Sequence, residues 1–258
     1  MKIACVQMNI DFGEPEENFR VAEKYVIEAA EAAADIIVLP EMWNTGYALE
    51  KLEKLADVNG ERTKEFLASL AKSYRVNIVG GSVATKKIDG FYNTMFVADR
   101  TGNIVAEYDK THLFKLMDEH LFINEGKSRN LFVLDGIECG GVICYDLRFP
   151  EWIRNHVLGG AKIMFIPAEW PKQRVDHWQL LLQARAIENQ CFIVGVNRVG
   201  EDPNNEFSGH SMIIAPWGEL LLSNQTAEGI YYAQLDLTEV QRVRKTIPIF
   251  QDRRTDLY

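Results

Sequence analysis

The sequence predicts an α/β fold of four layers, α-β-β-α, made of two similar half-domains. Three observations lead there. Short continuous apolar runs, such as residues 35–40 and 162–167, read as strands covered on both faces. Stretches of helical period separate them. The order of elements in the first half, β-α-β-α-β followed by a hairpin, recurs in the second. Each half then has helices on one face of its sheet and a second apolar face to bury. Packing the two sheets together satisfies both halves at once.

Taken in order, residues 2–8 read as a buried strand. Pro15 and Glu16 open a helix in which Phe19, Ala22, Val26, Ala29 and Ala33 recur at helical spacing. Residues 35–40 are the next strand. Residues 60–75 form a helix with Phe66, Leu67, Leu70 and Ala71 inside, and residues 76–84 a strand containing Gly80-Gly81. Strands at 91–99 and 104–109 are joined by Asp99-Arg100-Thr101-Gly102-Asn103, a hairpin signal. In the second half a strand leads to Cys144. A helix at 150–158 is stopped by Gly159-Gly160. A strand at 162–167, a long helix at 175–189 and a strand at 191–196 follow. Strands at 207–215 and 219–223 flank Pro216-Trp217-Gly218, and residues 230–236 form one more strand. No linker or low-complexity segment divides the chain, so residues 1–258 read as one domain, with a polar C-terminal tail from about 240.

Composition narrows the functional classes. A net charge of −9 argues against nucleic acid as a partner, and an anionic ligand would need a local cation. No apolar run approaches the length that crosses a bilayer, and the N-terminal residues run into a strand pattern without a signal-peptide pattern. The cysteines, Cys5, Cys139, Cys144 and Cys191, are scattered and form no CxxC pair, which fits a reducing cytoplasm. There is no HExxH, no zinc-type spacing and no glycine-rich phosphate loop, so neither a metal nor a nucleotide is expected.

Three polar residues close strands: Glu41, Lys110 and Cys144. The chain leaves the strand before Cys144 and turns sharply through Tyr145-Asp146-Leu147-Arg148-Phe149 to Pro150, an arrangement that presents a side chain at the carboxyl edge of a sheet. A thiol there serves as a nucleophile only beside a positive charge or a base. Lys110 offers the charge and Glu41 the base. Each residue also has an ordinary reading, as a buried apolar thiol, a surface lysine or a solvated loop acid. Their joint occurrence at strand ends favours a common site.

The chain resembles the nitrilase superfamily of carbon–nitrogen hydrolases. The resemblance is carried by Leu39-Pro40-Glu41, by Tyr108-Asp109-Lys110-Thr111-His112-Leu113 and by Gly141-Val142-Ile143-Cys144-Tyr145-Asp146-Leu147-Arg148-Phe149-Pro150-Glu151. Arg185-Ala186-Ile187-Glu188-Asn189, Gly209-His210-Ser211 and Pro216-Trp217-Gly218 support it, so it covers almost the entire chain. It implies the four-layer sandwich, a Glu-Lys-Cys triad on Glu41, Lys110 and Cys144, no cofactor, and a homodimer. A second glutamate near the triad falls on Glu119. A finer likeness to the ω-amidase branch, and to bacterial ω-amidases linked to methionine salvage, rests on Leu116-Met117-Asp118-Glu119-His120 and on Ala168-Glu169-Trp170-Pro171 followed by His177-Trp178. That branch hydrolyses the terminal amide of 2-oxoglutaramate and related dicarboxylate monoamides.

The implied mechanism is attack by Cys144 on a small-molecule amide, with Glu41 as base and then acid. Lys110 and the backbone N–H of Tyr145 would hold the oxyanion. Trp43, Tyr47 and Trp170 are expected as pocket walls. Arg174 and Lys115, then Arg148, are the candidate partners of a substrate carboxylate; Arg148 with Glu151 and Arg185 with Glu188 also have the spacing of helical ion pairs. A nitrilase, carbamoyl hydrolase or aliphatic amidase would share the triad. A non-catalytic binding protein or a redox-sensing thiol protein fits the intact trio less well.

Overall fold

The computed structural model describes residues 1–257. Two sheets carry the expected layers. The first runs edge to edge through Gly229–Gln234, Lys2–Gln7, Ile36–Val38, Asn77–Val79, Gly90–Ala98, Val83–Lys87 and Asp57–Val58, with Ile104–Asp109 also paired to Gly90–Ala98. The second runs through Leu220–Gln225, Ser211–Ile214, Phe192–Asn197, Ile163–Ala168, Ile137–Gly141 and Leu131–Leu134. In each sheet the central strands are parallel and the hairpin partners antiparallel.

Side-chain alternation along a strand explains the layering. In the first strand, Ile3 and Cys5 join the core shared with the second sheet, through Val142, Phe165 and Val194 among others. Ala4 and Val6 face the other way, into the core beneath Pro15–Glu31 and Glu61–Tyr74. Ile36 and Val38 divide from Ile37 in the same manner. Pro150–Leu158 and Val175–Asn189 supply the second helical layer through Ile153, Val157, Trp178, Leu182 and Ala186. The protein is therefore a four-layer α-β-β-α sandwich.

Some elements differ from the sequence reading. The run 76–84 is two strands, Asn77–Val79 and Val83–Lys87, broken at Gly80-Gly81. Likewise 207–215 divides into Glu206–Ser208 and Ser211–Ile214 at Gly209-His210, where both residues have positive φ. Beyond residue 237 the chain forms a helix, Thr238–Thr246, that buries Val240 and Val243. Only two apolar positions anchor it, too few for the periodicity to stand out in so polar a stretch.

Gly81 has a direct bearing on the site. Its φ is +59°, and a Cβ there would lie 1.9 Å from the carbonyl oxygen of Pro40. The backbone carrying Glu41 thus crosses Gly81 at a distance that no side chain allows. Gly81→Ala should destabilise the protein by about 2–4 kcal/mol, from left-handed strain plus displaced backbone. Urea denaturation measures this; a loss under about 0.5 kcal/mol, the range of a neutral surface change, would mean that the crossing is not a constraint.

Candidate active site

Glu41 follows the strand Ile36–Val38 through Leu39 and Pro40, Lys110 follows Ile104–Asp109, and Cys144 opens a 3-10 turn, Cys144–Arg148, after Ile137–Gly141. The chain bends abruptly at two of these points. Met42, directly after Glu41, has φ +45°, and Cys144 itself has φ +43°. Non-glycine residues occupy this region only under local constraint. At Cys144 the constraint is Asp146, which is fully buried. Its Oδ2 accepts from the Ile143 N–H at 2.9 Å and the Tyr108 hydroxyl at 2.7 Å, while Oδ1 accepts from the His112 N–H at 3.0 Å. The same carboxylate thereby ties the cysteine turn to residues on both sides of Lys110. Arg185 closes the turn from beyond, donating to the Leu147 carbonyl at 2.9 and 3.1 Å.

Glu41, Lys110 and Glu119 are all fully buried. The Lys110 ammonium lies 2.9 Å from Glu41 Oε1 and 3.0 and 2.8 Å from the two oxygens of Glu119, and donates to the Tyr47 hydroxyl at 3.1 Å. Tyr47 in turn donates to Glu41 Oε1 at 2.7 Å. Asn93 Nδ2 bridges the two carboxylates at 2.9 and 3.2 Å. Glu41 Oε2 accepts the Glu169 N–H at 2.7 Å, and Glu119 Oε2 accepts the Phe114 N–H at 2.7 Å. The Cys144 thiol stands beside this set, where the Glu41 charge acts to raise it and the Lys110 charge to lower it.

These contacts push the two acids apart. Burial raises the Glu41 carboxyl, but the Lys110 ammonium and the donors around it prevail, and it lies below the usual carboxylate range. Burial also raises Glu119; there the neighbouring Glu41 charge adds to it, and the group lies above that range despite Lys110. The Lys110 ammonium is favoured by Glu119 and Glu41 over its burial cost, so it stays charged. Burial and the Glu41 charge hold the Cys144 thiol well up, with Lys110 opposing. The resting site is thus a thiol beside a carboxylate, which can take its proton when the sulfur attacks.

Outside Cys144 lies a narrow cleft. Tyr47, Phe114, Tyr145, Arg148, Glu169, Trp170 and Arg174 line it. Trp170 is fixed by its N–H to Asn197 Oδ1 and its indole N–H to the Arg174 carbonyl, both at 2.7 Å. The Arg148 guanidinium lies 4.7 Å from its ring, and that of Arg174 lies 5.4 Å from the Phe114 ring. Tyr145 is the second residue of the 3-10 turn, where N–H groups have no partner within the helix.

Two expected wall and anchor residues lie elsewhere. Trp43 is fully buried in the helical layer, donates to the Gly80 carbonyl at 2.7 Å and packs on Phe19 and Phe66. The turn at Met42 sends it away from the cleft. Lys115 starts a short 3-10 turn, Lys115–Met117, and is exposed, because Phe114 and Met117 take the inward positions. Arg148 has turned to Trp170 and lies 3.3 Å from His177 Nδ1, whereas Arg185 does pair with Glu188 at 3.0 Å. Tyr47 lines the cleft but also belongs to the charged cluster. Asn93, Asp146 and Glu169 were not singled out from sequence. The polar pair Asn93-Thr94 inside the otherwise largely apolar strand Gly90–Ala98 was the available signal for Asn93.

A sandwich in which a thiol, a carboxylate and an ammonium meet at strand ends is equipped for nucleophilic attack by sulfur, as in a thiol-dependent hydrolase. The carbon-nitrogen hydrolase family model matches residues 2–245, and the chain belongs to that family. It is 52% identical over 256 residues to 2-oxoglutaramate amidase of Bacillus subtilis, covering 99% of this chain and 98% of that protein. Human omega-amidase NIT2 is 30% identical over 267 residues, covering 100% and 96%. Among solved structures, XC1258 of Xanthomonas campestris, a CN-hydrolase superfamily protein with an arsenic adduct in its active site, superposes with a TM-score of 0.92 at 29% identity, covering 99% of this chain and 97% of that one.

Tyr47→Phe separates the two roles of that side chain. Loss of the hydroxyl that links Glu41 to Lys110 should lower kcat by about 10- to 100-fold with KM little changed, the size of one lost charge-assisted hydrogen bond. Steady-state kinetics of ammonia release measure it. A rise in KM alone would make Tyr47 a substrate contact instead.

Proposed function

We propose that the protein hydrolyses the terminal amide of small dicarboxylate monoamides of the 2-oxoglutaramate type, releasing ammonia through a Cys144 thioester. The observation that carries this reading is the pairing of two features at Cys144: a fully buried Glu41–Lys110–Glu119 cluster behind it and two guanidiniums, Arg148 and Arg174, on the cleft in front. Neither arginine forms a salt bridge to a carboxylate among the described residues. On a chain of net charge −9 they are the local cations an anionic substrate requires. The relationship to 2-oxoglutaramate amidase supports the same substrate class.

In this mechanism Cys144 Sγ attacks the amide carbon as its proton passes to Glu41. The oxyanion forms beside the Lys110 charge and the Tyr145 N–H. Glu41 then gives the proton to the amide nitrogen, the C–N bond breaks and ammonia leaves. Glu41 next takes a proton from water, whose oxygen attacks the thioester carbon. Collapse of that intermediate frees the acid and returns the proton to sulfur. One carboxylate thus serves twice. Glu119 holds the ammonium in place through both of its oxygens. Arg174, with Arg148, receives the distal carboxylate between the rings of Phe114 and Trp170.

Two further assignments belong to this reading. The protein acts as a homodimer: Ile187 and Ile247 are exposed apolar residues along one surface groove, which a second copy would cover. It works in the cytoplasm, where four free cysteines are stable. No described helix is long and apolar enough to cross a membrane.

Cys144→Ala should abolish ammonia release without loss of the fold; full activity in that variant would end the nucleophile assignment. Arg174→Ala should raise KM for 2-oxoglutaramate by about 10- to 100-fold, the worth of one charged contact, with much less effect on an uncharged aliphatic amide. An equal effect on both substrates would remove Arg174 from carboxylate recognition.

A further inference from the structure

We propose that Glu169 is a substrate-binding residue whose Oε1 accepts a hydrogen bond from the carboxamide nitrogen, so that it selects amides over esters. The inference rests on the amidase reading above and adds a residue to it. Glu169 is 1% exposed and lines the cleft with Cys144. Its backbone N–H holds Glu41 Oε2 at 2.7 Å, which fixes the residue beside the base. Its side chain is held from the far side: Arg198 Nη1 donates to Oε2 at 3.0 Å, with both groups fully buried. Arg198 is itself anchored on the Ile10 carbonyl at 2.9 Å and the Val199 carbonyl at 3.1 Å.

The other oxygen, Oε1, is buried without a protein partner. A buried acceptor left unpaired is costly, and at a functional site it calls for an explanation. A primary carboxamide brings two N–H donors into the cleft. The other carboxylate oxygens are engaged: Glu41 Oε1 takes Lys110, Tyr47 and Asn93; Glu41 Oε2 takes the Glu169 N–H; and both Glu119 oxygens take Lys110. The Asn93 amide oxygen is also buried without a partner, but Asn93 does not line the cleft. Glu169 Oε1 is the carboxylate oxygen of this group left open. Burial and the Glu41 charge push the Glu169 carboxyl up to about 8 against the pull of Arg198. A substrate N–H on Oε1 adds to that pull and favours the ionised, accepting form.

Glu169→Gln tests this by inverting the polarity of one atom. Arg198 can only donate, so it retains the amide oxygen of the new side chain, and the NH2 falls where Oε1 was. A donor then faces the substrate's donor. kcat/KM is compared for a dicarboxylate monoamide and the matching monoester, each normalised to active sites titrated by Cys144 alkylation. The expected result is a fall of about 10- to 100-fold for the amide, with the ester changed less than about threefold, since an ester has no N–H to lose. Equal loss on both substrates, or no loss on either, overturns the proposal. Should Glu169→Gln not fold, the Glu169→Met, Arg198→Met double variant removes the buried pair whole, a change such sites often tolerate, and the same amide-only loss is expected. Wild-type protein that cleaves no carboxamide sinks the amidase reading itself, and this inference with it, before any variant is made.

Discussion

A single ammonium group, that of Lys110, holds the active centre together. It sits among Glu41, Glu119 and the Tyr47 hydroxyl, out of reach of water. A buried charge is costly unless paired and hydrogen-bonded, and removing one partner of a buried pair costs roughly 3–5 kcal/mol. Each carboxylate therefore depends on the lysine and the lysine on both. The arrangement also sets their chemistry apart. Glu41 is held ionised, while Glu119, repelled by Glu41, lies above the usual range. Two acids of one type thus acquire different protonation behaviour from environment alone.

The sandwich supplies what this cluster needs. Sheets that face each other bury strand ends as well as strand centres, so polar groups there meet one another and not solvent. Glu41 and Lys110 come from strands of one sheet and Cys144 from the other. Asp146 bridges the sheets by accepting from Tyr108 and His112 of the lysine segment and from Ile143 of the cysteine turn. Glu169, at the end of Ile163–Ala168, bridges them again through its N–H to Glu41. The left-handed backbone at Met42 and Cys144 is retained because these bonds leave no alternative path.

Polarity is graded along the cleft. Its floor is acidic and fully buried, its walls are aromatic, and two guanidiniums border it over those rings. Ring contacts hold the two guanidiniums at the cleft, and Arg148 is also in contact with His177 Nδ1 at 3.3 Å. A molecule with an amide at one end and a carboxylate at the other matches this gradient. Among the residues that line the cleft, Glu169 has a buried side-chain oxygen without a partner.

Much of this was legible in the sequence. Apolar runs of strand length, helical periodicity and a repeated element order are local signals, and they gave the layers. Glu41 and Cys144 stood out because each is a reactive residue directly after an apolar run, and Lys110 because it closes a strand in the same manner. Local pattern misled at Trp43, Lys115 and the strand breaks at Gly80-Gly81 and Gly209-His210, where backbone turns redirect the chain. The partners that arrive from afar were beyond it. Asn93 reaches across 52 residues to Glu41, Glu169 across 128, and Asp146 across 38 to Tyr108. The sequence by itself determined the layers and singled out Glu41, Lys110 and Cys144 as candidates, since both follow from residue type and immediate neighbours. Only the tertiary structure decided their hydrogen-bond partners and charge states, because those depend on burial and on atoms brought within about 3 Å by the packing of two sheets.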